Sequence, residues 1–263
     1  GATETMGVSF NTQESSTRLA ENVLENLGIT EENLDDIQTV SVEELETAAA
    51  EALQETGEEL QIPAALGGSY SMDWEPVVDG DFLPTNPVTE ESFAEAGTDI
   101  PLLIGSNLNE WSGFFEAEPI EETEELETAL REAYPDKPEL TADQVDTTII
   151  RLPLLKIMSH KADQGGAPVY SYLFNYGRSS HGAEIPYVFA HASDTEEQTA
   201  LSEHISQAWI NFAKNGIPGT GDMPEWEPYT RESGATMLLD TESKLVHHHD
   251  KELLSILVPD YEY

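Results

Sequence analysis

Apolar positions in this chain change their period along its length. From Glu14 to Leu27 they fall at Leu19, Val23, Leu24 and Leu27, near the spacing of one helix face, and Gly28 follows where a left-handed cap ends a helix. Ile29-Thr30-Glu31-Glu32 opens a short second helix. In Ser41-Val42-Glu43-Glu44 a hydroxyl precedes a glutamate by three residues. Each of the two side chains can accept a backbone N–H from the other residue, so a third helix is expected from there to about Leu53. Gly57 to Ser71 reads as a loop, and Trp74-Glu75-Pro76-Val77-Val78-Asp79-Gly80 ends in a turn.

Short continuous apolar runs then take over. Ile100 to Gly105 and Val169 to Tyr176 have the character of strands buried on both faces. Acidic helices are expected over Glu121 to Tyr134 and Thr141 to Lys161, the second kinked at Pro153. Thr195 to Lys214 is a long amphipathic helix stopped by Asn215-Gly216. Ala235 to Asp240 and Lys244 to His248 form a final strand pair, and Asp250 to Leu257 a closing helix. Strands alternating with helices predict an α/β fold with a mixed, mostly parallel sheet flanked by helices. No internal repeat or clear boundary is visible. The expectation is one domain over residues 1–263, with residues 1–70 a mainly helical excursion from it.

Two segments carry chemistry. His181 lies just beyond the Val169 run, in Arg178-Ser179-Ser180-His181-Gly182-Ala183-Glu184-Ile185-Pro186-Tyr187. Sites in open α/β sheets lie at such strand ends. A lone histidine is as often structural or solvated as functional. Here, however, a carboxylate follows the earlier strand, in Ile104-Gly105-Ser106-Asn107-Leu108-Asn109-Glu110-Trp111. A histidine acting as general base needs a carboxylate to fix its tautomer and stabilise the imidazolium. Glu110 is one candidate, set apart from the many solvated acids by Leu108, Trp111, Phe114 and Phe115 around it. Glu184 is the other, one helical turn from His181. It also suits a supporting place at a helix N-terminus, where the dipole favours an acid. Spacing alone leaves both open. The run His247-His248-His249 cannot turn three rings onto one ion from a strand or helix, so no metal site is expected there. No cofactor motif is present.

A nucleophile is harder to find. A serine on a strand–turn–helix elbow is marked by G-x-S-x-G. Gly7-Val8-Ser9-Phe10-Asn11 lacks the second glycine, as does Gly67-Gly68-Ser69-Tyr70-Ser71. The chain has no cysteine, hence neither a disulfide framework nor a thiolate nucleophile.

Composition adds one further property. Lys and Arg number 11 against 52 Asp and Glu, a net charge of −41 over 263 residues. Such self-repulsion destabilises a compact fold unless salt screens it. Disorder would be one outcome, but the long apolar runs and the aromatic content oppose it. The acids have neither calcium-loop spacing nor a phosphate-like register. The expectation is a folded protein of halophilic type whose acidic surface is dressed with hydrated salt cations. Nucleic acid is excluded as a partner by charge, and no apolar stretch approaches a membrane span. A salt-accumulating cytoplasm and an extracellular brine suit this surface equally, so localisation stays open.

The ordered motifs resemble the type-B carboxylesterase family, the group of para-nitrobenzyl esterases and cholinesterases. The similarity is to its C-terminal half and runs through the chain. Gly1-Ala2 resembles the end of a Q-S-G-A stretch. Trp74 to Leu83 resembles W-x-P-x-x-D-G-x-x-L, and Ile104 to Glu110 resembles the segment with the family's acid. His181 to Phe189 resembles the histidine motif, and Trp209 to Pro218 resembles W-x-N-F-A-x-x-G-x-P. The resemblance implies the C-terminal portion of an α/β-hydrolase fold and hydrolysis of a small-molecule carboxylic ester. It places Glu110 and His181 as acid and base of a Ser-Glu-His triad. It also implies that the serine, the oxyanion loop and the missing N-terminal half lie upstream of Gly1, and that this chain alone is inactive. Trp111, Phe114 and Phe115 would line an acyl or alcohol pocket unless they pack in the core. The alternative is a non-catalytic binding module of cholinesterase type, or a half-domain needing a partner chain.

Overall fold

The computed structural model describes residues 10–64, 69–89, 93–110, 120–121, 123–145, 147 and 149–261. It divides into two compact units, one ending at Asn86 and the other beginning at Pro87.

The first unit is a helical hairpin. Helix α1 (Gln13–Asn26) is capped by Thr12, whose hydroxyl accepts the Ser15 N–H while the Ser15 side chain returns to the Thr12 N–H. A 3-10 stretch, Glu31–Thr39, follows. Helix α2 (Val42–Leu60) starts at the expected Ser41–Glu44 box. Leu19 and Val23 of α1 pack with Ala52 of α2 and with Met72, and Asn22 donates to Thr56 in the buried seam. Two-residue strands β1 (Asn11–Thr12) and β2 (Val77–Val78) pair in parallel beside them.

Helix α2 runs a full two turns beyond the expected Leu53, because Gly57 is not a terminator. A Cβ on Gly57 would lie 2.3 Å from the Ser71 Cα. The glycine is there to let the returning chain cross the helix, where Met72 N–H bonds to the Leu53 carbonyl. The helix stops instead at Gln61, in left-handed conformation.

The second unit holds a four-stranded sheet in the order β3 (Leu102–Asn107), β4 (Val169–Phe174), β5 (Ala235–Leu239), β6 (Lys244–His247). The first three strands are parallel and the last turns back as an antiparallel hairpin. Around it lie α3 (Glu124–Ala133), α4 (Arg151–Gln164), α5 (Ile185–Val188), α6 (Glu196–Asn215) and α7 (Lys251–Leu257). Alternate side chains of β4 serve both faces. Tyr170 and Phe174 pack with Leu201, Ile205 and Ala208 of α6. Val169 packs with Leu155 and Met158 of α4, and Leu173 with α3 and Leu253 of α7. A strand covered on both sides is mostly apolar, which is why it read as a nearly continuous run; its one serine, Ser171, is buried and pairs its hydroxyl with that of Thr236.

Two further expectations are corrected. The region after Thr141 is a 3-10 turn, Ala142–Gln144, with α4 beginning only at Arg151. Pro153 therefore falls in the first turn, where its missing N–H leaves no bond unmade, and there is no mid-helix proline to kink. Strand β3 ends at Asn107, two residues later than its apolar run, because Ser106 and Asn107 are buried polar members of the strand. Gly105 lets β3 close on β4, since a Cβ there would sit 2.2 Å from the Tyr172 carbonyl oxygen.

Candidate active site

The register Ser106↔Leu173 and Asn107↔Phe174 brings the C-terminal ends of β3 and β4 side by side. Two loops leave from this edge. One is Leu108-Asn109-Glu110; the other turns through Gly177 and Ser179, both with positive φ, and carries His181. Leu108 N–H bonds to the Phe174 carbonyl and Asn109 N–H to the Ser179 carbonyl, and Asn109 forms a parallel bridge with Ser180. Ser179, 1% exposed in a left-handed conformation, is held by its hydroxyl donating to the Tyr176 carbonyl.

The loops thus bring together two side chains that lie 71 residues apart. His181 Nδ1 stands 2.7 Å from Glu110 Oε2. The other oxygen, Oε1, accepts the backbone N–H of Asn107 at 2.6 Å. The Glu110 side chain is 7% exposed and that of His181 50% exposed. A buried carboxylate with an N–H on one oxygen and an imidazole on the other has little freedom to rotate. An N–H at Nδ1 facing that oxygen leaves Nε2 as the basic nitrogen.

Glu184, the other acid considered for His181, has its Oε2 2.5 Å from Asn107 Nδ2 and immediately precedes α5, to which its side chain gives no capping hydrogen bond. Burial, reinforced by the charges of Glu184 and Glu110, raises the phenol of neighbouring Tyr172 far above its usual range, so it stays neutral. Trp111, Phe114 and Phe115 lie outside the described residues. Beside the two loops is a cavity of about 510 Å³ whose lining includes Leu108, Asn109, Lys137, Gly177 and Arg178.

The three consecutive histidines diverge. His247 Nε2 faces Glu227, His248 Nε2 faces the Glu232 carbonyl, and His249 packs its ring against Tyr134. Among the described residues no group of three metal-ligating side chains gathers at one point.

Sequence reasoning passed over Asn107. It is 1% exposed, and besides its contact with Glu110 its carboxamide donates to the Ser180 carbonyl at 2.9 Å. The available signal was an amide at the end of an apolar strand, three residues before the acid.

Residues 122–255 match the model of the carboxylesterase family. Para-nitrobenzyl esterase of Bacillus subtilis (strain 168) is 30% identical over 98% of this chain and 55% of its own length. Carboxylesterase 1C of Rattus norvegicus is 29% identical over 60% of this chain and 37% of its own. A solved PNB esterase superposes with a TM-score of 0.64 at 28% identity, over 92% of this chain and 54% of that one. The chain belongs to the carboxylesterase family, and its mostly parallel sheet with flanking helices is an α/β-hydrolase fold. It spans about half the length of the bacterial relative it matches.

Proposed function

We propose that this chain supplies the acid and base of a Ser-Glu-His triad in a carboxylic ester hydrolase. The observation that carries the reading is the 2.7 Å contact between His181 Nδ1 and buried Glu110, at the carboxyl ends of adjacent parallel strands. His181 Nε2 takes the serine proton as the serine oxygen bonds to the acyl carbon and the carbonyl becomes an oxyanion. Collapse breaks the ester C–O bond, and the imidazolium returns the proton to the leaving alcohol. Water repeats the sequence and frees the acid. Glu110 holds the Nδ1–H tautomer and offsets the positive charge that forms on the ring.

The nucleophilic serine and the oxyanion donors are assigned to the part of the enzyme that relatives have and this chain does not cover. Both units are assigned to one hydrolase domain. The acidic surface is assigned to work in concentrated salt, with hydrated cations at its carboxylates. That reading rests on the net charge of −41.

The test is turnover of a para-nitrophenyl ester in high salt by the full-length protein and its Glu110→Gln and His181→Ala variants. Glu110→Gln keeps the shape but can reverse the tautomer preference, and is expected to lower kcat about 10⁴-fold. The isolated 263-residue chain is expected to be inactive. Equal turnover by the parent and both variants would remove the assignment.

A further inference from the structure

Two carboxylates stand within reach of the His181 loop, and one buried residue touches both. Asn107 donates its backbone N–H to Glu110 Oε1 at 2.6 Å. Its Nδ2 donates to the Ser180 carbonyl at 2.9 Å, one residue before His181, and to Glu184 Oε2 at 2.5 Å. The partners fix which way the amide points. Turned over, its oxygen would face a carbonyl and a carboxylate, three acceptors with no proton among them. Both Nδ2 hydrogens are therefore engaged, one on the base loop and one on the competing acid.

We propose that Asn107 is a positioning residue that selects Glu110 over Glu184 as the acid serving His181. Its main chain holds Glu110 with Oε2 turned to the imidazole. Its side chain ties up the Glu184 carboxylate and anchors the backbone beside His181. Without the carboxamide, Glu184, three residues from His181, competes for Nδ1 and turns the ring. The inference rests on the esterase reading above, but its structural half stands apart from turnover.

The experiment compares the full-length enzyme with Asn107→Ala, Asn107→Ser and Asn107→Ala/Glu184→Gln. Two readouts are taken: ester kinetics, and the far-downfield NMR resonance of the imidazole Nδ1 proton. Loss of orientation by a fraction of an ångström lowers kcat about 10–100-fold, while KM changes less than about threefold. The Nδ1 proton signal is expected to move and broaden in Asn107→Ala. Removing the competing charge in the double variant is expected to restore the signal and at least about tenfold of the lost kcat. Asn107→Ser retains a shorter donor and covers the case in which Asn107→Ala does not fold. An unchanged proton signal with kcat within twofold of the parent overturns the proposal. So does a loss that Glu184→Gln fails to relieve. If the parent hydrolyses no ester, the esterase reading fails, and the proton signal still decides the role of Asn107.

Discussion

His249 allows a stability effect to be worked from the structure. Its side chain is 6% exposed, and neither ring nitrogen has a hydrogen-bond partner among the described residues. The ring packs T-shaped with Tyr134, centroids 5.5 Å apart, and its Nδ1 stands 3.6 Å from Asp250 Oδ1 of the buried Arg151–Asp250 pair. Burial pushes its pKa down from 6.5 to about 4, Asp250 opposing the change and Arg151 adding to it. The unfolded chain takes up this proton below about pH 6.5, whereas the folded chain resists until about pH 4. Unfolding therefore gains protons in that window, and stability is full above it and declines as pH falls through it. A shift of two to three units corresponds to about 3 kcal/mol. His249→Phe keeps a ring against Tyr134 and cannot titrate. Urea unfolding at constant high KCl, followed by tryptophan fluorescence at pH 7 and pH 4, measures the difference. The parent is expected to lose about 3 kcal/mol more than the variant, a midpoint difference on the order of 1 M urea. Carboxylates titrate in both proteins and cancel in the comparison. Equal losses would refute the reasoning, as would a His249 ring proton titrating near pH 6.5 by NMR.

Two other consequences concern the frame. Gly57→Ala raises helix propensity in α2 yet places a methyl carbon 2.3 Å from the Ser71 backbone, so it is expected to lower stability by about 1–3 kcal/mol in a melting experiment. The net charge of −41 predicts that the melting temperature rises by several degrees between low and molar KCl, each kcal/mol of relieved repulsion being worth about 2–4 °C. Unchanged circular dichroism and melting across that range would count against salt adaptation.

Local chemistry made most of the elements legible. The Ser41–Glu44 box, Gly216 and the largely apolar runs of β3 and β4 act within a few residues of themselves, so they determine a helix start, a helix stop and two buried strands wherever the chain goes. The order of motifs was enough to indicate the family. The errors arose where a residue's meaning depends on a distant neighbour. Gly57 reads as a breaker until Ser71 crosses it, and Pro153 as a kink until the helix start is known. Ser106 and Asn107 read as loop until their burial in β3 is seen.

The site divides in the same way. That His181 needs an acid, and that Glu110 and Glu184 are the two at hand, follows from the sequence. Which one it touches follows only from the pairing of β3 with β4, which sets residues 110 and 181 side by side. A carboxamide then holds Glu184 elsewhere. Periodicity and capping are short-range and can be read along the chain. The Asn107 N–H on one oxygen of Glu110 is local too, but the imidazole on its other oxygen lies 71 residues away, and only the folded chain brings those two groups together.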